Sequence, residues 1–342
     1  MAMQNNDKKV LLHIEDVKQY FPVKKTKIRE KQKYVKANDG ISLDIYEGET
    51  FGLVGESGCG KSTFGRTLLQ LYPQTDGTIL YRDKNGEMLD LKNLSSDKMR
   101  ELRKELQIIF QDPYSSLNPR MTLGQIIGEG LTSHGIYKKG DPAMKEYIME
   151  VMEECGLSGY FFSRYPHQFS GGQRQRIGIA RSLALRPRFV VCDEAVSALD
   201  VSIQSQILNL LQDLKEKENL TYLFITHDLS VVKYISDRIG VMYLGNMVEV
   251  APTEEFFANT LHPYSEALLS AIPTVDTKER KNQILLEGDI PSPVNPPSGC
   301  KFHTRCRYCQ EKCKHEVPVF EDKGNGHFVA CHYPLQASKG EV

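Results

Sequence analysis

The chain predicts an α/β fold on a mainly parallel sheet, and three observations carry that expectation. Strand-like and helical patterns alternate from about residue 40 to 245. A short apolar strand at 51–54 runs into the glycine-rich stretch from Gly55 to Ser62, Gly-Glu-Ser-Gly-Cys-Gly-Lys-Ser, which opens a helical pattern. A second apolar strand, 189–193, ends in two adjacent carboxylates, Asp193 and Glu194.

The elements follow in order. A first strand pattern covers 12–17, and aromatic residues Tyr20 and Phe21 precede, and Tyr34 lies within, a stretch at 24–36 that is dense in Lys and Arg. Without apolar periodicity, that stretch reads as a solvated loop, with a basic patch as the other reading. Strand 51–54, the glycine-rich loop and apolar residues at helical spacing over 63–71 give the strand, loop, helix order of a phosphate-binding loop. Gly55, Gly58 and Gly60 let backbone N–H groups face phosphate oxygens at the positive end of a helix; Glu56, Ser57 and Cys59 complete the loop. Lys61 adds a charge for the β- and γ-phosphates, Ser62 a hydroxyl for Mg²⁺, and Thr63 continues the helix. Cys59, beside Lys61 and a helix N-terminus, is expected to have a lowered thiol pKa, or else only to be small.

A strand at 107–110 precedes an almost wholly helical stretch, about 112–185, read as an inserted helical subdomain. There Asp141-Pro142 caps a helix whose apolar face is Met144, Ile148, Val151, Met152 and Cys155. Ser170-Gly171-Gly172-Gln173 is a second glycine-rich helix start, either a phosphate site or simply a helix capped by Ser170. At the end of strand 189–193, Asp193 suits a metal and Glu194 the polarisation of a water. Strands at 222–226 and 238–244 follow, with Gly245-Asn246 as a hairpin turn. A charged segment at 276–281 leads through a Pro-rich linker at 291–297 to the cysteines.

At 342 residues the chain is long enough for a large domain and an appendage. Lys plus Arg is 43 against 44 Asp plus Glu, so no global basic excess attracts nucleic acid. The longest apolar runs are strand-sized and the first residues lack the apolar core of a secretory signal, so no membrane span is expected. Five of the eight cysteines, Cys300, Cys306, Cys309, Cys313 and Cys331, crowd the C-terminal end. In a reducing compartment such clustering points to metal rather than disulfides. Spacing alone admits zinc, with Cys306 and Cys309 as a chelating pair and His332 following Cys331. Lys301, Arg305, Arg307, Lys312 and Lys314 are expected to offset the negative charge of a thiolate-ligated iron–sulfur cluster.

The phosphate loop, Gln111-Asp112-Pro113, Ser170 to Gln173, Asp193-Glu194, Ser197 to Asp200 and Thr226-His227-Asp228 together resemble, in order and spacing, the ATP-binding cassette (ABC) ATPases over roughly residues 10–255. The resemblance implies a RecA-like core with an antiparallel β subdomain and an inserted helical subdomain. It implies ATP with Mg²⁺ as ligands, Gly55 to Thr63 as the phosphate cradle, and Ser62, Gln111 and Asp193 as the Mg²⁺ side. Glu194 would be the catalytic carboxylate, Gln111 the lid-loop residue, His227 the switch beside the γ-phosphate (against a merely structural histidine), and Phe21 the adenine face, with Tyr20 and Tyr34 as rivals. In that family two cassettes face each other, so Ser170, Gly171, Gly172 and Gln173 would serve the partner's nucleotide and Asp200 would couple the two sites. The signature opens with Phe169 where Leu is usual, and Ala195 stands where most relatives have Pro.

Further stretches, Phe110 to Pro119, His262 to Pro273 and Gly299 to Cys306 among them, resemble the oligopeptide and dipeptide importer branch, and the run 196–200 its F-type cassette subunit. That branch implies a nucleotide-binding domain at 1–258 and a small accessory, metal-binding domain at 259–342. In it Cys300, Cys306, Cys313 and Cys331 would hold a [4Fe–4S] cluster. It also implies a second, non-identical cassette subunit, two transmembrane permease subunits, an extracytoplasmic peptide-binding protein, no nucleic acid, and a place on the cytoplasmic face of the cell membrane. The other readings are a nickel, glutathione or sugar importer and, from a different class, a soluble cassette ATPase acting on ribosomes or nucleic acid. Because the nucleotide motifs all end by Asp228, ATP binding is expected not to depend on the cysteine tail.

Overall fold

The computed structural model describes residues 9–25, 27, 31–272 and 283–336; the charged segment at 276–281 lies outside them. In chain order the strands are β1 (Val10–Pro22), β2 (Tyr34–Tyr46), β3 (Thr50–Val54), β4 (Asp76–Arg82), β5 (Met88–Asp90), β6 (Leu106–Ile109), β7 (Phe189–Asp193), β8 (Thr221–Ile225), β9 (Arg238–Tyr243), β10 (Asn246–Pro252), β11 (Glu321–Asp322) and β12 (Phe328–Val329). The chain divides into two compact units, one built on Tyr46–Glu49 and Asn93–Ile225, the other on Val10–Ile45, Thr50–Lys92 and the described part of Thr226–Val342.

In the first unit β6, β7 and β8 run parallel, with Leu106 beside Phe189 and Asp193 beside Ile225. Every residue of β7 and β8 is buried, as expected of parallel strands covered on both faces, which read as continuous apolar runs rather than as an alternation. Helices at Leu123–Ser133, Pro142–Glu154, Gly171–Leu183 and Val201–Glu218 complete the unit. Two of these starts show a local cause here. Thr122 and Gln125 form a reciprocal capping box, and Asp141 accepts from the Ala143 N–H at 3.0 Å with Pro142 in the first turn. The predicted face of that second helix is buried at Ile148, Val151 and Met152, and Cys155 at its end is buried with them.

The second unit holds two sheets. One has the order β2-β1-β4-β5, with β1 and β4 antiparallel and a bulge between Glu15 and Lys18. The other has the order β11-β12-β10-β9-β3, in which β3 and β9 are parallel and the rest antiparallel. The β9–β10 hairpin turns on Leu244 and Gly245, both at positive φ, with Tyr243 opposite Asn246. The turn expected at Gly245-Asn246 is therefore one residue late. Two consecutive left-handed residues match the strand twist, and the glycine occupies the second of them rather than the first. The C-terminal tail adds β12 to β10, Val329 beside Glu249 and Phe328 beside Val250, a pairing for which two-residue strands leave no sequence signal.

The core of this unit joins Val54, Val241, Tyr243, Phe256 and Tyr264 to Phe302 of the tail. Tyr243, Tyr264 and Phe302 form a triangle of rings with centroids 4.8, 5.2 and 5.3 Å apart. The tail is thus anchored by inserting Phe302 into the main core.

Candidate functional site

The glycine-rich loop is shaped by its glycines and by Lys61. Gly60 takes φ 108°, and a Cβ there would overlap the Ala37 carbonyl oxygen, so only glycine fits between this loop and β2. The Lys61 ammonium folds over the loop, donating to the Gly55 carbonyl at 2.7 Å and the Glu56 carbonyl at 3.1 Å, and is buried there. Ser62 and Thr63 occupy the first turn of the helix Lys61–Leu68. Cys59 departs from expectation: it is buried, and burial pushes its thiol up despite Lys61 Nζ at 3.8 Å. Desolvation of the thiolate outweighs the single cation. Its burial accords with the reading of Cys59 as a small packed residue.

In the other unit, Gln111 Nε2 donates to Glu194 Oε2 at 2.6 Å, joining two of the predicted residues across 83 positions of chain. Glu194 has φ 50°, a left-handed backbone uncommon for any residue but glycine. Three bonds hold it there: its N–H donates to the Ile225 carbonyl at 3.0 Å, and its own carbonyl accepts from the Ser197 N–H at 3.2 Å and Ser197 Oγ at 3.0 Å. Asp193 ends β7 and is buried.

Ser170 forms a capping box with Gln173: Oγ accepts from the Gln173 N–H at 3.4 Å, and the Ser170 N–H donates to Gln173 Oε1 at 3.1 Å. A Cβ at Gly172 would overlap Ile203 Cγ2, so this glycine also lets two helices pack closely. Asp200 is exposed at the start of Val201–Glu218. In the loop-bearing unit, His227 is exposed just before Asp228, whose carboxylate caps Leu229–Ile235 through the Ser230 N–H at 2.8 Å. The Phe21 ring meets Tyr72 edge-on at 5.4 Å, whereas the rival Tyr20 has its hydroxyl bonded to Asp39.

Cys300, Cys306, Cys313 and Cys331 line one small cavity together with Pro263, Phe302, Tyr308, Tyr333 and the histidines His262, His303 and His332; Cys309 is not part of its lining. Burial pushes the thiols of Cys300 and Cys306 up to about 11 and about 12. Among the described residues, no three His, Cys, Asp or Glu side chains stand close enough to chelate one ion. The five basic residues do not surround the thiols as free cations. Lys301 pairs with Asp39 at 2.8 Å, Arg305 with Glu56 at 2.7 Å, Arg307 with Glu266 at 2.8 Å, Lys314 with Glu311 at 2.8 Å and Lys312 with Glu316 at 3.6 Å. Their charge is spent on carboxylates, so it does not discriminate iron–sulfur from zinc. Beside the cavity, Glu249 and His327 form a fully buried pair at 2.7 Å that sequence reasoning missed.

Solved structures share this architecture. The dimeric cassette MJ0796 bound to ADP and Pi matches with a TM-score of 0.60 at 26% identity, over 71% of this chain and 99% of that one. CbiO1 from Clostridium perfringens, part of an ABC transporter complex, matches with a TM-score of 0.61 over 73% of this chain and 91% of that one. The fold is that of an ABC ATPase cassette, and residues 38–197 match the ABC transporter family. Residues 248–313 match the oligopeptide/dipeptide transporter C-terminal region. The oligopeptide transport ATP-binding protein AppF of Bacillus subtilis is 50% identical over 95% of this chain and 98% of its own length. OppF of Salmonella typhimurium, of the same description, is 50% identical over 95% of this chain and 96% of its own. The chain belongs to the oligopeptide transport ATP-binding family of ABC ATPases.

Proposed function

We propose that this chain hydrolyses ATP to drive the uptake of di- and oligopeptides through transmembrane permease partners. Its supports are a likeness that runs through 95% of the chain, tail included, and relatives whose names specify oligopeptide transport. Among the described residues no helix is long and apolar enough to cross a membrane, so the passage would belong to the partners. The permease pair, a second and non-identical cassette, an extracytoplasmic peptide-binding protein and a peripheral place on the cytoplasmic face complete the reading. Within it, 1–258 is the nucleotide-binding domain, with a helical subdomain at about 112–185, and 259–342 the accessory domain.

The roles follow from the chemistry of each position. Gly55 to Thr63 cradle the phosphates, and Lys61, held over the loop, exchanges the Gly55 and Glu56 carbonyls for phosphate oxygens. Ser62, Gln111 and Asp193 would hold Mg²⁺, which on binding supplies charge neutralisation at the β- and γ-phosphates. Glu194 accepts the proton of the attacking water while Gln111 and His227 orient it and the γ-phosphate. Phe21 stacks on adenine. Ser170 to Gln173 complete the partner's site, and Asp200 links the two. Purified alone, the chain is then expected to turn ATP over slowly, and faster when the second cassette and the permease are added. Full, cooperative hydrolysis by a strictly monomeric preparation would refute the facing-cassette reading.

For the tail we infer a [4Fe–4S] cluster on Cys300, Cys306, Cys313 and Cys331. Four thiols lining one small cavity support this reading, in which the group would add folding free energy to a short segment. Protein kept anaerobic should be brown, with the broad visible absorbance of thiolate-ligated iron, and bleach in air. Replacing any of the four should abolish the colour, and replacing Cys309 should not. Zinc without iron in an anaerobic preparation would overturn this assignment.

A further inference from the structure

The cysteine segment reaches back to the phosphate loop through one side chain. Arg305 places Nη1 2.7 Å from Glu56 Oε2 and Nη2 3.1 Å from Oε1, a bidentate pair in which the Arg305 side chain is only 6% exposed. Such two-pronged pairs fix orientation as well as distance. Glu56 is also held at its other polar groups. Its N–H donates to Tyr264 Oη at 2.8 Å, and its carbonyl accepts from the Cys59 N–H at 3.3 Å and Lys61 Nζ at 3.1 Å. Arg305 itself is carried by a short turn, its N–H donating to the Phe302 carbonyl at 3.0 Å, and Phe302 is seated in the aromatic triangle with Tyr264 and Tyr243. Cys300 and Cys306 pack against that same core.

We propose that Arg305 is a positioning residue that clamps the phosphate loop through Glu56, so that the order of the cysteine segment and the affinity for nucleotide are coupled. The loop can cradle phosphate only if its N–H groups are already aimed inward; a loop held at Glu56 binds without first being ordered. Whatever orders residues 300–306 therefore strengthens nucleotide binding, and by linkage nucleotide tightens the segment by the same factor. On this proposal the affinity for ATP depends on the order of the tail, against the expectation that it does not.

Two variants of the full chain separate clamping from simple charge. Removing Arg305 deletes a cation near bound phosphate, which by Coulomb's law alone weakens an anion; Glu56→Gln deletes a carboxylate, which by the same law alone strengthens it. The clamp requires both to weaken binding. Fluorescent Mg-ATP titrations should give about a tenfold loss for Arg305→Ala, a smaller loss for Arg305→Lys, and a loss rather than a gain for Glu56→Gln, with the double variant no worse than the worse single one. Amide exchange at 56–60 should quicken in every variant. Tighter binding by Glu56→Gln, or loop exchange unchanged in both single variants, would overturn the clamp, and Glu56→Gln keeps the test open should Arg305→Ala fail to fold. One further arm rests on the cluster reading above: Mg-ATP should slow iron release to a chelator in the wild type and not in Arg305→Ala. If the protein holds no iron, that reading fails alone, since affinity and loop exchange need no metal.

Discussion

Glu194→Gln is expected to bind Mg-ATP as the wild type does and to lose about 10²–10⁴-fold in turnover at this chain's site, the usual contribution of a positioned general base. The amide keeps the length of the side chain and an oxygen to accept from Gln111, now 2.6 Å from the carboxylate, but it can no longer take a proton from water. The backbone at φ 50° is held by Ile225 and Ser197 rather than by the side chain, so the substitution leaves the geometry in place. Single-turnover phosphate release with the partner's site disabled is the decisive measurement. A rate near wild type would remove Glu194 from the reaction.

The largest expected effect on stability lies at the other end of the chain. His327→Phe should destabilise the protein by about 3–5 kcal/mol, because it leaves the Glu249 carboxylate buried without its side-chain partner. Glu249 is 0% exposed; Oε1 accepts from the Leu261 N–H at 2.7 Å and meets His327 Nε2 at 2.7 Å, while Oε2 accepts from the His262 N–H at 3.1 Å. This one carboxylate therefore ties β10 to the start of the helix Pro263–Ser270 and to the tail. Chemical denaturation with limited proteolysis of the tail would read the loss. A change below about 1 kcal/mol would mean that the two backbone donors suffice to hold the charge, since the cost of an unpaired buried charge is several times larger.

The phosphate loop, the carboxylate-ended strand and the helix start at Ser170 were legible in the sequence because each is local. A left-handed glycine, a cap three residues from its partner, or an apolar run buried on both faces leaves its mark within a few positions. The ends of the strands expected at 51–54, 107–110, 189–193, 222–226 and 238–244 came within a residue, whereas the first, expected at 12–17, runs Val10–Pro22. Cys59 was misread for a physical reason. Its neighbours in sequence are a lysine and a helix N-terminus, but the depth of burial that raises its pKa is set by distant chain.

The sequence by itself determined that this chain is an ABC ATPase, since the cassette motifs stand in a fixed order and spacing, and it marked out the residues proposed for the phosphate chemistry. Only the tertiary structure decided what those residues lean on. Gln111 meets Glu194 across 83 positions, His327 meets Glu249 across 78, and Arg305 meets Glu56 across 249. A side-chain hydrogen bond or ion pair between remote residues has no period and no fixed offset, so its two halves look like ordinary polar surface. Where both partners are buried, as Glu249 and His327 are, the loss of water that strengthens the contact exists only once the chain has folded.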